Sequence, residues 1–218
     1  MRLPAEHLPA PEMRGFADAR ALPLLPKVGA AWMPQGRQAE VLTPGKKETH
    51  ALAGALRLET GQVLPCVGPR KNHGVFRDLL TLLDQTSPAP GGKRLSVVME
   101  NYGMHKARAV NKWLADHPRF ELLWLPTYCP RANPIERVFG DVHDKCTRNH
   151  KHKRLRDVVS DVERHLQVNG PWRYKLSSCK FFGDGTGQSM KMHARVDFPR
   201  VRQANTPEVS RWHAFASP

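Results

Sequence analysis

The chain has 218 residues, which is long enough for one substantial domain with a buried core and short for two. Its 34 Lys and Arg residues outnumber 20 Asp and Glu, and the net charge of +14 favours nucleic acid as a partner, a merely basic surface being the alternative. No apolar stretch approaches the length of a bilayer span and the first residues lack a signal peptide, so we expect no membrane partner and a cytoplasmic protein.

The first third of the chain predicts a loop followed by two strands. Residues 1–12 are rich in proline and predict an irregular N-terminus, and residues 24–36 predict a loop with a short extended piece. Residues 50–58 and 62–68 predict two strands joined by a tight turn, in which Gly61 can adopt a positive φ.

The rest of the chain alternates helices and strands. The predicted elements are a helix beginning at Val75, a strand at 94–99, a helix ending near His117, a strand at 120–125 and amphipathic helices at 133–146 and 155–166. This order indicates an α/β domain at residues 13–177, with a mixed sheet covered by helices on both faces. Residues 178–218 lack a sustained period and predict a basic, poorly ordered tail.

Two glutamates lie next to predicted elements, at positions suited to chemistry. Glu100 follows the strand at 94–99, and Glu136 opens a helix directly after the next strand. Neighbouring strands would bring both carboxylates into the crevice at the strand ends. Asn133 suits the N-cap of that helix and Pro134 its first turn, so a purely structural capping box of Asn133 and Glu136 is the alternative.

Cysteine, histidine and tryptophan residues give weaker signals. The four cysteines lack the paired spacing of a zinc site or a redox couple. Cys146, His150 and His152 have a loosely metal-like spacing, but we favour a basic helix end followed by a solvated loop that contacts phosphates. Three tryptophans in apolar contexts predict core positions rather than platforms for base stacking: Trp32, Trp113 and Trp124.

Residues 97–150, beginning VVMENYGMHK, resemble the catalytic core of bacterial insertion-sequence transposases related to the mariner group. The pattern of that family is an Asp-Asn pair after a strand, a nearby His, and a loop of the form LPPYSPxLNPIE that supplies a final Glu. Here the corresponding residues are Glu100-Asn101, His105 and the segment LPTYCPRANPIE at 125–136. The resemblance covers roughly residues 17–177.

The resemblance implies a ribonuclease-H-like fold with an Asp-Asp-Glu triad that hydrolyses a DNA strand and joins the freed 3′ hydroxyl to a target. Asp18, Glu100 and Glu136 match the triad and would bind two Mg²⁺ or Mn²⁺ ions through carboxylate oxygens. The positions expected around the ions are Asn101, His105 and Asn133, and those expected to contact DNA are Lys106, Arg131, Arg148, Lys151, Lys153 and Arg154. The family also implies a homodimer on paired DNA ends and a location at the bacterial nucleoid.

The sequence departs from the family pattern at several positions. The strand leading into Asp18 is short and Ala19 replaces the usual Glu, so a solvated loop aspartate is the alternative for Asp18. Glu100 is one methylene longer than the usual Asp, which predicts impaired strand cleavage. For His105, a cap on a helix starting near Lys106 is the alternative.

We therefore interpret the chain as a truncated transposase catalytic domain with reduced or absent activity. There is no room before Asp18 for a helix-turn-helix module, so specific recognition of transposon ends is expected to be missing. The alternative is a basic nucleic-acid-binding remnant without catalysis. Both interpretations predict salt-sensitive DNA binding, whereas only the first predicts metal binding that depends on Glu136.

Overall fold

The structure is a computed structural model that describes residues 13–37, 40–87, 94–125, 132–177 and 193–197. Its centre is a five-stranded mixed sheet with the strand order β3-β2-β1-β4-β5. The strands are β1 (Met13–Pro23), β2 (Thr49–Arg57), β3 (Val63–Gly68), β4 (Leu95–Glu100) and β5 (Phe120–Leu125). Strand β2 is antiparallel to both of its neighbours, whereas β1, β4 and β5 run parallel.

Helices cover both faces of this sheet, as the order of elements predicts. They are α1 (His73–Thr86), α2 (Arg108–Asp116), α3 (Ile135–Val142) and α4 (Leu155–Val168). The side chains of β1 alternate between two cores, because Phe16 packs with α3 and α4 whereas Ala17 packs with α1 and α2. None of the described helices is long and apolar enough to cross a bilayer.

Strand β1 is longer than the sequence pattern suggests. It has 11 residues and pairs with β2 from Gly15 opposite Arg57 to Pro23 opposite Thr49. Asp18 lies within this strand and is buried, so the alternative of a solvated loop aspartate is wrong. The pattern is weak because the buried residues on the α1 side of β1 are alanines, which carry little apolar signal.

The turn between β2 and β3 is the predicted one. Gly61 has φ 69°, and a Cβ atom there would lie 2.5 Å from the carbonyl oxygen of Trp172. The amide of Trp172 in turn donates a hydrogen bond to the carbonyl of Gly61 at 2.6 Å. Glycine is therefore needed at this position both for the turn and for the close packing of the later segment.

Two of the three tryptophans that the sequence predicts as core residues are exposed. Trp32 lies in the irregular segment after β1 with 68% of its surface exposed, and Trp124 lies on the edge strand β5 with 39% exposed. Of these three residues, Trp113 packs against a core, that of α1 and α2. The core prediction is wrong for Trp32 and Trp124 because apolar neighbours along the chain do not ensure that an element covers the ring.

The described structure ends in a small antiparallel pair. Strand β6 (Arg173–Ser177) pairs with β7 (His193–Asp197), which lies in the stretch predicted as a basic tail. The rest of that stretch, residues 178–192 and 198–218, lies outside the described residues, as does the predicted irregular N-terminus at 1–12.

Candidate metal centre

Three carboxylates meet at one edge of the sheet. One oxygen each from Asp18, Glu100 and Glu136 lies within 4.8 Å of the other two. The parallel pairing of β1 with β4 extends to Ala17 opposite Met99, so Asp18 and Glu100 are the next residue on each strand. The sheet register therefore places these two carboxylates side by side.

All three carboxylates lie on the α3 face of the sheet. Phe16 and Val98, which precede Asp18 and Glu100 by two residues, belong to the core formed with α3 and α4. Since side chains of a strand alternate, Asp18 and Glu100 share that face. Glu136 is in the first turn of α3 and reaches them from above the sheet.

A glycine lets α3 lie close to the sheet at this point. Gly54 of β2 is the direct partner of Asp18, and a Cβ atom there would lie 3.1 Å from Cζ of Phe139. The ring of Phe139 thus occupies the space that a side chain would take. This close approach brings the first turn of α3, and with it Glu136, down to the level of Asp18.

Asn133 connects the start of α3 to β1 and does not cap the helix. Its Nδ2 donates a hydrogen bond to the carbonyl of Ala17 at 3.2 Å, and the residue is 1% exposed. The N-cap residue of α3 is Pro134, and no side chain caps the helix. The capping-box interpretation is therefore wrong, because the side chain bonds across to the strand and holds Glu136 near Asp18.

Arg20 is a residue of this site that the sequence analysis did not single out. Its Nη2 donates to Oε2 of Glu136 at 2.6 Å. It lies two residues after Asp18 on the same face of β1, so the alternation of a strand is the signal that could have found it. One guanidinium thus partly balances three carboxylates.

Burial and charge shift the pKa of Asp18. Burial, and next the negative charge of Glu136, raise the pKa of Asp18 to about 7, against the smaller opposing effects of the Ala19 amide and Lys71. Without a cation the site therefore holds a proton more readily than a free aspartate. A divalent ion would relieve the repulsion, and the three oxygen donors are of the kind that Mg²⁺ and Mn²⁺ prefer. The residues present fit such an ion.

The predicted neighbours of the ions lie beside Glu100. His105 is buried, with Nδ1 3.0 Å from the carbonyl oxygen of Glu100 and its ring 4.4 Å from that of Phe76. Burial lowers the pKa of His105, which favours a neutral ring that donates from Nδ1. The cap interpretation is wrong, since α2 begins at Arg108 without a side-chain cap. Asn101 follows Glu100 and is exposed.

The described members of the predicted DNA-contacting set lie on more than one element. Lys106 is exposed, with Nζ 5.3 Å from the ring centroid of Trp124. Arg148 forms an ion pair with Asp144 at 3.5 Å. The remaining described residues of the set are exposed ahead of α4, namely Lys151, Lys153 and Arg154. Arg131 lies outside the described residues.

The region of Cys146, His150 and His152 is structural. Burial raises the pKa of the Cys146 thiol to about 11, and Nε2 of His152 lies 2.5 Å from Oδ2 of Asp161. His150 is buried and its Nδ1 accepts from the amide of His152 at 3.2 Å. In the part of the chain that the structure describes, the carboxylates are the only group with converging metal-ligand atoms.

The fold is that of a ribonuclease-H-like domain, and three carboxylates converge at one edge of its sheet. The chain matches the family described as DDE superfamily endonuclease over residues 15–159, and it belongs to that family. The predicted family and fold class are thereby confirmed.

A curated relative extends this result. The "Insertion element IS630 uncharacterized 39 kDa protein" of Shigella sonnei is 34% identical over 157 residues, which are 72% of this chain and 45% of the relative. The chain therefore spans about half the length of that protein.

Solved structures show the same fold. The Mos1 transposase paired-end complex with left transposon end matches with a TM-score of 0.55 and 15% identity, over 72% of this chain and 48% of that one. The Mos1 mariner paired-end complex with Mn matches with a TM-score of 0.55 and 15% identity, over 72% and 49%. The mariner Mos1 paired-end complex with Mg matches with a TM-score of 0.53 and 15% identity, over 73% of this chain and 49% of that one.

Proposed function

We propose that this chain is the catalytic domain of a transposase that cleaves and joins DNA strands with the help of Mg²⁺ or Mn²⁺. The observation that carries the proposal is the convergence of Asp18, Glu100 and Glu136 within 4.8 Å in a member of the DDE family. The solved structures with the same fold point the same way, because they include a complex with a transposon end, a strand transfer complex and complexes with Mn and with Mg.

The three carboxylates would hold the metal ions through oxygen. When bound, two ions would supply Lewis-acid stabilisation of the attacking and leaving oxygens of an in-line phosphoryl displacement. Asn133 holds the start of α3 against β1, and His105 holds the backbone at Glu100. These contacts fix the distances between carboxylates that belong to three separate elements.

The basic residues would bind the DNA backbone. The net charge of +14 favours phosphate contacts, which we assign to Lys106, Arg131, Arg148, Lys151, Lys153 and Arg154. Asn101 is exposed beside Glu100, where a DNA strand would pass. A homodimer on two DNA ends and a location at the nucleoid belong to the same proposal.

The glutamate at position 100 is expected to slow DNA strand cleavage. Its carboxylate reaches the other two, so the longer side chain keeps its place as a ligand. The extra methylene changes the angle of approach, and a shift of about 1 Å in a positioned group costs on the order of a hundredfold in rate. We therefore expect slower cleavage than by the Glu100→Asp variant.

A second candidate function is DNA binding without cleavage. The contact between Arg20 and Glu136 favours it, because a guanidinium already pairs with one of the three carboxylates that a metal ion would use. In that case the acidic cluster would be a structural charge network.

Nicking of supercoiled plasmid in Mn²⁺ and in Mg²⁺ distinguishes the two functions. Native protein, Glu100→Asp and Glu136→Ala are compared, each after a cooperative thermal melt has shown that it is folded. Nicking by native protein or Glu100→Asp that is lost in Glu136→Ala supports the transposase function. Absence of nicking in all three, with DNA binding retained, supports the second function.

A further inference from the structure

We propose that Arg20 is a displaceable counter-ion of the acidic cluster, which competes with the metal for Glu136 until a DNA phosphate draws the guanidinium away. This inference rests on the proposed function. It assigns to a single side chain the coupling between DNA binding and metal binding.

The contact geometry supports competition. Nη2 of Arg20 lies 2.6 Å from Oε2 of Glu136, and this oxygen belongs to a carboxylate whose ligand atom lies within 4.8 Å of those of Asp18 and Glu100. A divalent ion at the cluster and the guanidinium would both need the negative charge of Glu136. Because like charges repel at such distances, binding of one weakens binding of the other.

Arg20 is held loosely enough to leave. Its side chain is 43% exposed, and among the described residues its guanidinium donates a hydrogen bond to Glu136. Partly exposed ion pairs of this kind are weak, so the guanidinium can exchange partners at little cost. The metal-free site therefore has a cation that balances charge without being locked in place.

Arg20 also lines a mostly apolar cavity that includes one further cation, Lys27. The cavity has a volume of about 320 Å³, and Lys27 and His143 line it together with Arg20. Phe139 and Val142 form part of its apolar wall. A phosphodiester at this rim would meet the cations of Arg20 and Lys27, and a guanidinium binds phosphate through two parallel hydrogen bonds. The arriving phosphate would thus free Glu136 for the metal.

The test is a calorimetric titration of Mn²⁺ into the full chain, with and without a saturating short DNA duplex. Arg20→Met removes the charge and keeps the aliphatic stem, and Arg20→Gln is a second variant in case the first does not fold. Arg14→Gln is the matched control, because Arg14 lies on the same strand and is exposed. Glu136→Gln reports whether Mn²⁺ binds at the cluster.

Without DNA, we expect the Arg20 variants to bind Mn²⁺ about fivefold more tightly than native protein and Arg14→Gln. When DNA is bound, the Mn²⁺ affinity of native protein should rise by about the same factor. The Mn²⁺ affinity of the Arg20 variants should change little, as thermodynamic linkage requires.

Equal or weaker Mn²⁺ binding by folded Arg20 variants, with binding still lost in Glu136→Gln, would overturn the role of Arg20 and leave the proposed function intact. An equal gain from DNA in native and variant proteins would also overturn it. Absence of Mn²⁺ binding in native protein and all variants would overturn the proposed metal-dependent function itself, and this inference with it.

Discussion

Two regions of the molecule carry side chains that could bind a metal, and they differ in how their charges are balanced. In the acidic cluster, Asp18, Glu100 and Glu136 come from three elements and have one guanidinium between them. In the region after α3, His152 and Asp161 pair with each other, and Arg164 also pairs with Asp161. For metal binding, the spacing of ligands along the chain therefore matters less than whether the ligands already have protein partners.

The largest expected effect is loss of metal binding on Glu136→Ala. Because one of three converging oxygen ligands disappears, Mn²⁺ affinity should fall about 100-fold or more in a calorimetric titration. Asp161→Asn, which alters the other region, is the control and should bind Mn²⁺ like native protein. Equal losses in both variants would mean that the two regions do not differ as described.

The second effect concerns the free energy of unfolding without metal. Removing a carboxylate should raise it in the acidic cluster and lower it in the region after α3. The folded-state pKa of Asp18 is about 7, above the usual value of the unfolded chain. Its contribution to stability is therefore fully present below about pH 4 and is lost as the pH rises through about 7. At pH 8 in EDTA, Asp18→Asn should be more stable than native protein, on the order of 2–4 kcal/mol.

Urea denaturation at pH 5 and pH 8 measures this difference. Asp161→Asn should instead lose about 1 kcal/mol at pH 8, since it weakens the contacts to His152 and Arg164. A destabilised Asp18→Asn at pH 8 would show that Asp18 is already ionised and well paired without metal.

The third effect tests how close packing positions the cluster. Gly54→Val would place side-chain atoms against Phe139, and overpacking of this kind costs about 1–3 kcal/mol. Because α3 must move away from the sheet, Mn²⁺ binding should weaken as well. Gly103→Val is the control, since a Cβ atom at Gly103 meets nothing within 4 Å. Unchanged Mn²⁺ affinity in Gly54→Val would separate the position of Glu136 from this contact.

The smallest effect should come from His152→Ala. The partly buried pair with Asp161 is worth about 1 kcal/mol or less, so the melting temperature should fall only slightly. Added Zn²⁺ should shift the melting temperatures of native protein and variant alike, because His152 already has a protein partner. Stabilisation of native protein alone by Zn²⁺ would identify a second metal site.

Much of the fold could be predicted because its signals are local. Helical periodicity located α1 and α4, and the apolar runs before Glu100 and in FELLWL located β4 and β5. The family motif singled out Glu100 and Glu136 from positions next to these elements. Strand β1 was harder to predict, because its alternating alanine and charged residues lack the apolar pattern of a strand whose two faces are both covered by helices.

The details of the site could not be predicted in the same way. Asn133 has the residue type of a helix cap, but its hydrogen bond goes to Ala17, 116 positions away along the chain. Arg20 is an ordinary basic residue until the fold brings α3 above β1. Trp32 and Trp124 are exposed because no element among the described residues covers them, which local composition does not reveal.

Periodicity and motif are properties of neighbouring positions, so they were enough to give the order of most elements and the identity of the acidic residues. Which side chains meet depends on contacts between distant parts of the chain. The register of β1 with β4, the absence of a side chain at Gly54 and the hydrogen bond of Asn133 together set the distances within the cluster. Burial within the fold, and then the nearby charge of Glu136, raise the pKa of Asp18, and the same packing pairs Arg20 with Glu136.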